Sequence, residues 1–166
     1  AVSVSEMNIE IEILPIGATH PNTYRITLRN ELEEHLLIAL STGGGMIEVI
    51  GIDGASVNME GDFFETLIYL RKEGKEDLSL DTNKLIKELS ASPHIDEVLV
   101  HRGSKTFIEV KSQIPLSEEI LYRLRSHAGI ISFRTLEPVL PVLSRKNLSV
   151  PFITVEDMLR YNEAFD

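Results

Sequence analysis

The spacing of apolar residues changes near Gly61, and that change limits the folds open to this chain. Before it, the pattern is the two-residue alternation of half-buried strands. The alternation is strict in Asn8-Ile9-Glu10-Ile11-Glu12-Ile13, and Tyr24, Ile26 and Leu28 alternate in the same way with Arg25, Thr27 and Arg29. Leu36 to Leu40 is a continuous apolar run, expected to form a more fully buried strand. Met46 to Ile52 reads as a further strand, closed by the tight-turn pair Asp53-Gly54. The segments Gly17 to Asn22, Asn30-Glu31 and Gly43-Gly44-Gly45 are built from turn residues. Short strands joined by short turns predict an antiparallel arrangement.

From Phe63 onward strand and helix patterns alternate. Phe64 to Leu70 reads as a strand. Asp81 is the expected N-cap of a helix carrying Leu85, Ile86 and Leu89. Ile95 to His101 and Thr106 to Val110 read as a hairpin about Arg102-Gly103-Ser104. Ser117 begins a second helix, with Ile120, Leu121 and Leu124 on one face, acids in its first turn and bases later, as the helix dipole favours. Gly129 is expected to end it, and Ile130 to Leu136 is a last strand. The order is β-α-β-β-α-β, a ferredoxin-like unit.

The expected fold class is therefore α+β. An antiparallel β-rich part covers 1–61, the ferredoxin-like unit covers 62–137, and a proline-punctuated linker with the start of a helix covers 138–166. Thr154 is the expected cap of that helix, with Asp157 at the capping-box position. Both ends of the chain read as cuts in a longer polypeptide; the alternative is a native end with a frayed terminal helix.

Charge follows the same division. Residues 1–61 carry Arg25 and Arg29 as their basic residues against nine acidic ones, and have no lysine. The whole chain has a net charge of −10, which repels phosphate backbones and argues against nucleic acid as a partner. No apolar run approaches the ~18 residues that span a bilayer, and the first residues lack a secretory profile, so a cytoplasmic location is expected. The absence of cysteine removes disulfides, thiolate metal sites and cysteine nucleophiles.

Two constellations could bind a small polar ligand. His20, Asn22 and Thr23 place an imidazole, an amide and a hydroxyl in one turn. Local turn hydrogen bonds account for the same residues more simply. Thr42 with Gly43, Gly44 and Gly45 offers bare backbone N–H groups that could cradle a carboxylate. A bulge or tight strand crossing is the structural alternative. A strand follows these glycines, rather than the helix a phosphate loop opens, so a nucleotide site is not expected. His35, His94, His101 and His127 lie at no metal-ligand spacing and read as surface or structural residues. The clusters Glu31-Glu33-Glu34 and Glu73-Glu76-Asp77 read as solvated polar turns. No catalytic constellation and no metal site emerges from the residues.

Read together, HPNTYRITL (His20 to Leu28) and STGGGMIEVIGIDG (Ser41 to Gly54) resemble the β-type portion of bacterial iron–sulfur-dependent L-serine dehydratases. The stretch IEVKSQIPLSEEILYRLRSHAGIISFRTL is similar to the second half of the ACT-type domain of that family. LSVPFITVEDMLRYNEAFD resembles the linker and first helix of its catalytic portion. The resemblance implies a non-catalytic regulatory or assembly role beside a catalytic domain or subunit that converts L-serine to pyruvate and ammonia. It also implies a ligand that is serine or a related amino acid, and a homodimer. The family's cluster is held by cysteines, so the resemblance puts the iron–sulfur cofactor in the catalytic portion and none in this chain. Two departures stand out. The family's Gly-Pro-Ser-Ser-Ser-His-Thr segment is missing, and Arg71 to Asp77 lacks the Asp-x-Pro-Gly turn of ligand-binding ACT domains. The second departure leaves a purely structural dimerisation or interaction module as the competing expectation.

Overall fold

The computed structural model describes residues 10–13, 17–18, 20–71 and 79–139. Its elements are β1 (Thr23–Arg29), β2 (Glu34–Gly43), β3 (Met46–Ile52), β4 (Ala55–Met59), β5 (Phe64–Leu70), α1 (Leu80–Ser90), β6 (Ile95–Arg102), β7 (Thr106–Ser112), α2 (Glu118–Ser126) and β8 (Ile130–Leu136). They form an α+β structure with two antiparallel four-stranded sheets. The first sheet is a meander in the order β1-β2-β3-β4, and the second runs β6-β7-β5-β8.

Turn chemistry fixes the meander. Gly44 and Gly45 hold φ of +61° and +81° between β2 and β3, and Asp53 and Gly54 hold +51° and +80° between β3 and β4. Two successive positive φ values twist a hairpin in the sense its strands require, which is why glycine and aspartate occupy these positions. Asn30 makes the remaining turn, its Oδ1 accepting the amides of Leu32 and Glu33 at 2.8 Å.

Two apolar clusters order the layers. Ile68, Leu70, Ile108 and Val110 of the second sheet pack with Leu85, Leu89, Leu116 and Leu124 beneath the two helices. On the opposite face, Leu67, Tyr69 and Phe107 pack with Ile52, Ala55, Val57 and Met59 of the first sheet. The central strands β5 and β7 are thus covered on both faces, and each has six consecutive buried residues. The strand and helix order from β5 to β8 is the expected β-α-β-β-α-β.

Several local expectations need correcting. Ser79, rather than Asp81, caps α1: its Oγ accepts the Thr82 amide at 3.1 Å, which leaves Asp81 in the first turn. The helix α2 ends at Ser126 on an extended His127, before Gly129. The run Leu36 to Leu40 belongs to a longer, half-buried strand in which Ala39 is the fully buried residue. Residues 10–13 lie in no strand, with Ile11 and Ile13 85% and 98% exposed. Strand β4 was not anticipated, although Ala55, Val57 and Met59 alternate cleanly as buried positions. Asn8, Ile9, most of the Arg71 to Asp77 loop, and the linker and helix expected after Val139 lie outside the described residues.

Candidate functional site

The two expected ligand segments meet at one end of the first sheet. Thr23 is the register partner of Leu40, and the Asn22 carbonyl accepts the Ser41 amide at 3.0 Å. The turn of His20, Asn22 and Thr23 therefore lies against the strand that runs into Thr42 and Gly43. Gly43, Gly44 and Gly45 all hold positive φ, and a Cβ at Gly43 or Gly44 would meet no atom within 4 Å. These glycines form the exposed β2–β3 hairpin tip, and the strand register shifts between Ser41 and Gly43 as at a bulge.

Side chains in the first segment are engaged locally. His20 Nδ1 accepts the Asn22 amide at 3.2 Å, and the Thr23 hydroxyl donates to the His20 carbonyl at 2.6 Å. His20 and Asn22 are exposed, and Thr23 and Ser41 are half-buried. What this end can offer a ligand is a pre-bent backbone flanked by one imidazole and one amide.

A second polar cluster, not anticipated as a unit, lies where the β3–β4 hairpin meets the β6–β7 turn. Asp53 is buried, and every polar atom it has is used. Its amide donates to the Leu36 carbonyl at 2.8 Å, and its carbonyl accepts from the Ser104 amide at 2.7 Å and the Ser104 hydroxyl at 2.9 Å. Its Oδ1 accepts the Leu36 amide at 3.0 Å, and Oδ2 lies 2.8 Å from His35 Nδ1. Lys105 reaches the Glu34 carbonyl and lies 3.3 Å from His35 Nδ1. The other ring nitrogen of His35 faces Glu33 at 3.5 Å, and Glu33 pairs with Arg134 at 2.6 Å. The Arg134 guanidinium holds the Glu33 carboxyl below its ordinary value. Beneath them the Tyr69 ring lies 5.0 Å from His35; burial first, and then Asp53 and Glu33, push its hydroxyl up to about 12.

This histidine–carboxylate pair has the geometry of an oriented base, but its partners are all supplied by the fold. With Asp53 spent on five hydrogen bonds within the protein, the cluster acts as a joint between the two sheets. It also corrects one expectation: Glu33 and Glu34 make ion pairs, the latter with Arg29 at 2.6 Å, rather than simply solvating a turn. His35 and His101 do serve as structural residues, each beside a buried carboxyl.

Among the described residues no group of three or more His, Asp or Glu side chains is arranged to hold a metal ion. No helix among them is long and apolar enough to cross a membrane. No protein-family model, curated protein or solved structure matches the chain.

Proposed function

We propose that this chain is a non-catalytic regulatory or assembly portion of an iron–sulfur L-serine dehydratase, and that the glycine hairpin tip with the His20 turn binds the carboxylate of L-serine or a related amino acid. The observation that carries this reading is the adjacency of the two segments that resemble the family, joined by the Asn22–Ser41 hydrogen bond. Consecutive positive-φ glycines turn backbone N–H groups outward, a geometry suited to an anion. Under this reading Asn22 and the free face of His20 contact the remainder of the ligand. The β-α-β-β-α-β unit then corresponds to a degenerate ACT-like domain.

Cluster ligation requires thiolates, and this chain has no cysteine, so its residues do not fit an iron–sulfur centre. No catalytic step is assigned to it, and the lyase chemistry belongs to a separate catalytic portion.

The test is a titration of the full chain with L-serine, followed by backbone amide shifts. Changes confined to 20–23 and 41–46 at millimolar ligand are expected. Unmoved spectra overturn ligand binding.

One observation favours a second reading, a module that only makes protein contacts. Tyr24, Ile26 and Leu28 form an exposed apolar stripe on the edge strand β1. Sedimentation of the wild type beside Ile26→Lys distinguishes the two. A dimer that the lysine dissociates, without any serine response, supports the module.

A further inference from the structure

Independently of that reading, the face between the two sheets contains a group of charges for which the apolar packing gives no reason. Period-two alternation puts Glu65 on the same face of β5 as Leu67 and Tyr69, and puts Glu109 and Lys111 on the same face of β7 as Phe107. That face is covered by the first sheet. Glu109 is fully buried; its Oε2 lies 2.5 Å from His101 Nε2, and its Oε1 has no hydrogen-bond partner. Lys111 is buried too, and its ammonium donates at 2.6 Å to the backbone carbonyl of Asn58 on β4. Glu109 Oε1 and Glu97 Oε2 stand farther off, at 3.8 and 3.9 Å. Glu65 is 2% exposed, and neither of its carboxyl oxygens has a hydrogen-bond partner. Yet it is the direct cross-strand neighbour of Lys111.

The ammonium therefore has two possible seats, a neutral carbonyl on the other sheet and a carboxyl beside it on its own. An unbonded buried carboxyl is tolerable only while it is neutral, because burying an unpaired charge is far more costly than burying an acid. Once charged, it competes for the ammonium.

We propose that the proton on Glu65 sets how firmly β4 is fastened to the second sheet. While Glu65 is neutral, Lys111 stays on the Asn58 carbonyl. When the proton leaves to solvent, the ammonium crosses the ladder to the new carboxylate, and the β4 carbonyl is released.

The surroundings place this exchange near neutrality. Burial is the largest influence and, with Glu109 and Asp62, raises the Glu65 carboxyl to about 7 against the opposing pull of Lys111. The groups facing it are Glu109 and Lys111 from β7, Glu97 and His101 from β6, and Asp62 from the segment before β5. Its direct β8 neighbour is the apolar Leu136; Arg134, two residues earlier on the same face of β8, is paired with Glu33 at 2.6 Å. His101 is tied to Glu109 at 2.5 Å, so its ring is followed as a separate signal.

The test is a pH titration of the full chain by NMR, reading three signals. These are the Glu65 side-chain carboxyl carbon, the His101 ring, and the Met59 amide, whose peptide unit contains the Asn58 carbonyl. The expected result is a common midpoint near 7 for Glu65 and Met59. The Met59 response should vanish in Glu65→Gln and in Lys111→Met. A Met59 amide that stays still while Glu65 titrates overturns the proposal. So does one that follows His101 in Glu65→Gln. A Glu65 signal titrating in the ordinary carboxyl range also overturns it. The wild-type measurement stands alone if a variant fails to fold.

Discussion

Gly103 lies so close to Asp53 that a Cβ placed on it would stand 2.2 Å from the Asp53 carbonyl oxygen and 2.7 Å from the Ala55 amide. Both are backbone atoms of the β3–β4 turn, which cannot swing aside as a flexible side chain would. Gly103→Ala must therefore lift one hairpin off the other and strain the Ser104–Asp53 hydrogen bonds. We expect a loss of roughly 3 kcal/mol, at the upper end for overpacking, measured by urea denaturation. Gly51→Ala, whose Cβ would press on the Ile38 side chain at 3.2 Å, should cost clearly less.

Asp53 itself can be dissected by two substitutions. Asp53→Ala leaves the Leu36 amide without its side-chain acceptor and removes the carboxyl from His35. It also puts a residue that disfavours positive φ where +51° is required. A loss of about 2–4 kcal/mol is expected. Asp53→Asn keeps an acceptor for Leu36 and tolerates the backbone angle, so about 1 kcal/mol is expected. Equal losses for the two variants would mean that the carboxylate charge, absent from both, matters more than the Leu36 acceptor and the backbone angle that Asn keeps.

These relationships show where the sequence was informative. Local signals found β1, β2, β3, β5, β6, β7 and β8 and both helices, because alternation, apolar runs, turn pairs and charge order within a helix act over a few residues. They also found the Asp53-Gly54 turn, but not the use made of it. Its contact with Gly103 joins residues fifty positions apart, and no local pattern encodes that. Glu109 and Lys111 alternate with apolar residues in Thr106–Ser112 as solvent-facing residues do. They are buried only because a second sheet covers them. The same long-range packing gives Glu33 an ion-pair partner that its turn sequence does not reveal, since Arg134 is remote in sequence. In the candidate ligand region the glycines and the His20 turn were legible one by one. Their adjacency follows from the β1–β2 register.

Stability should fall as pH rises through the range set by Glu65. Its folded carboxyl titrates at about 7, against an ordinary value of 4.5. Below 4.5 both folded and unfolded chains hold the proton, and nothing is lost. Between the two values the folded chain keeps a proton the unfolded chain has released, so stability declines with pH; above 7 the loss is complete. The span corresponds to about 3 kcal/mol. A Glu65→Gln variant has a pH-independent side chain. Its stability relative to wild type should thus improve by about 3 kcal/mol between pH ~4 and ~8, as read from paired denaturation curves. A constant difference would show that Glu65 titrates alike in both states.

At the glycine hairpin, fold and binding can be separated. Gly44→Ala meets no neighbour within 4 Å, so its cost is the backbone penalty of a φ of +61° alone, about 1–2 kcal/mol. The chain should remain folded, with any serine-induced shifts at 41–46 weakened. A variant that keeps the full serine response would place the ligand's contacts elsewhere.

The cap of α1 gives a test that depends on one turn of helix. Ser79 Oγ accepts the Thr82 amide at 3.1 Å and lies 2.9 Å from the Thr82 hydroxyl, which is itself on a buried residue. The helix packs Leu85 and Leu89 into the core, so fraying at its start is transmitted to the second sheet. Ser79→Ala removes the acceptor and should cost about 1 kcal/mol. Asp81 is exposed in the first turn, where its carboxylate gains only from the helix dipole. Asp81→Ala should therefore cost at most about 0.5 kcal/mol, and that small loss should shrink with added salt. The Ser79 loss should not, because an uncharged hydroxyl makes it. If the order of the two variants were reversed at low salt, Asp81 would be the effective cap and the helix would start later in solution.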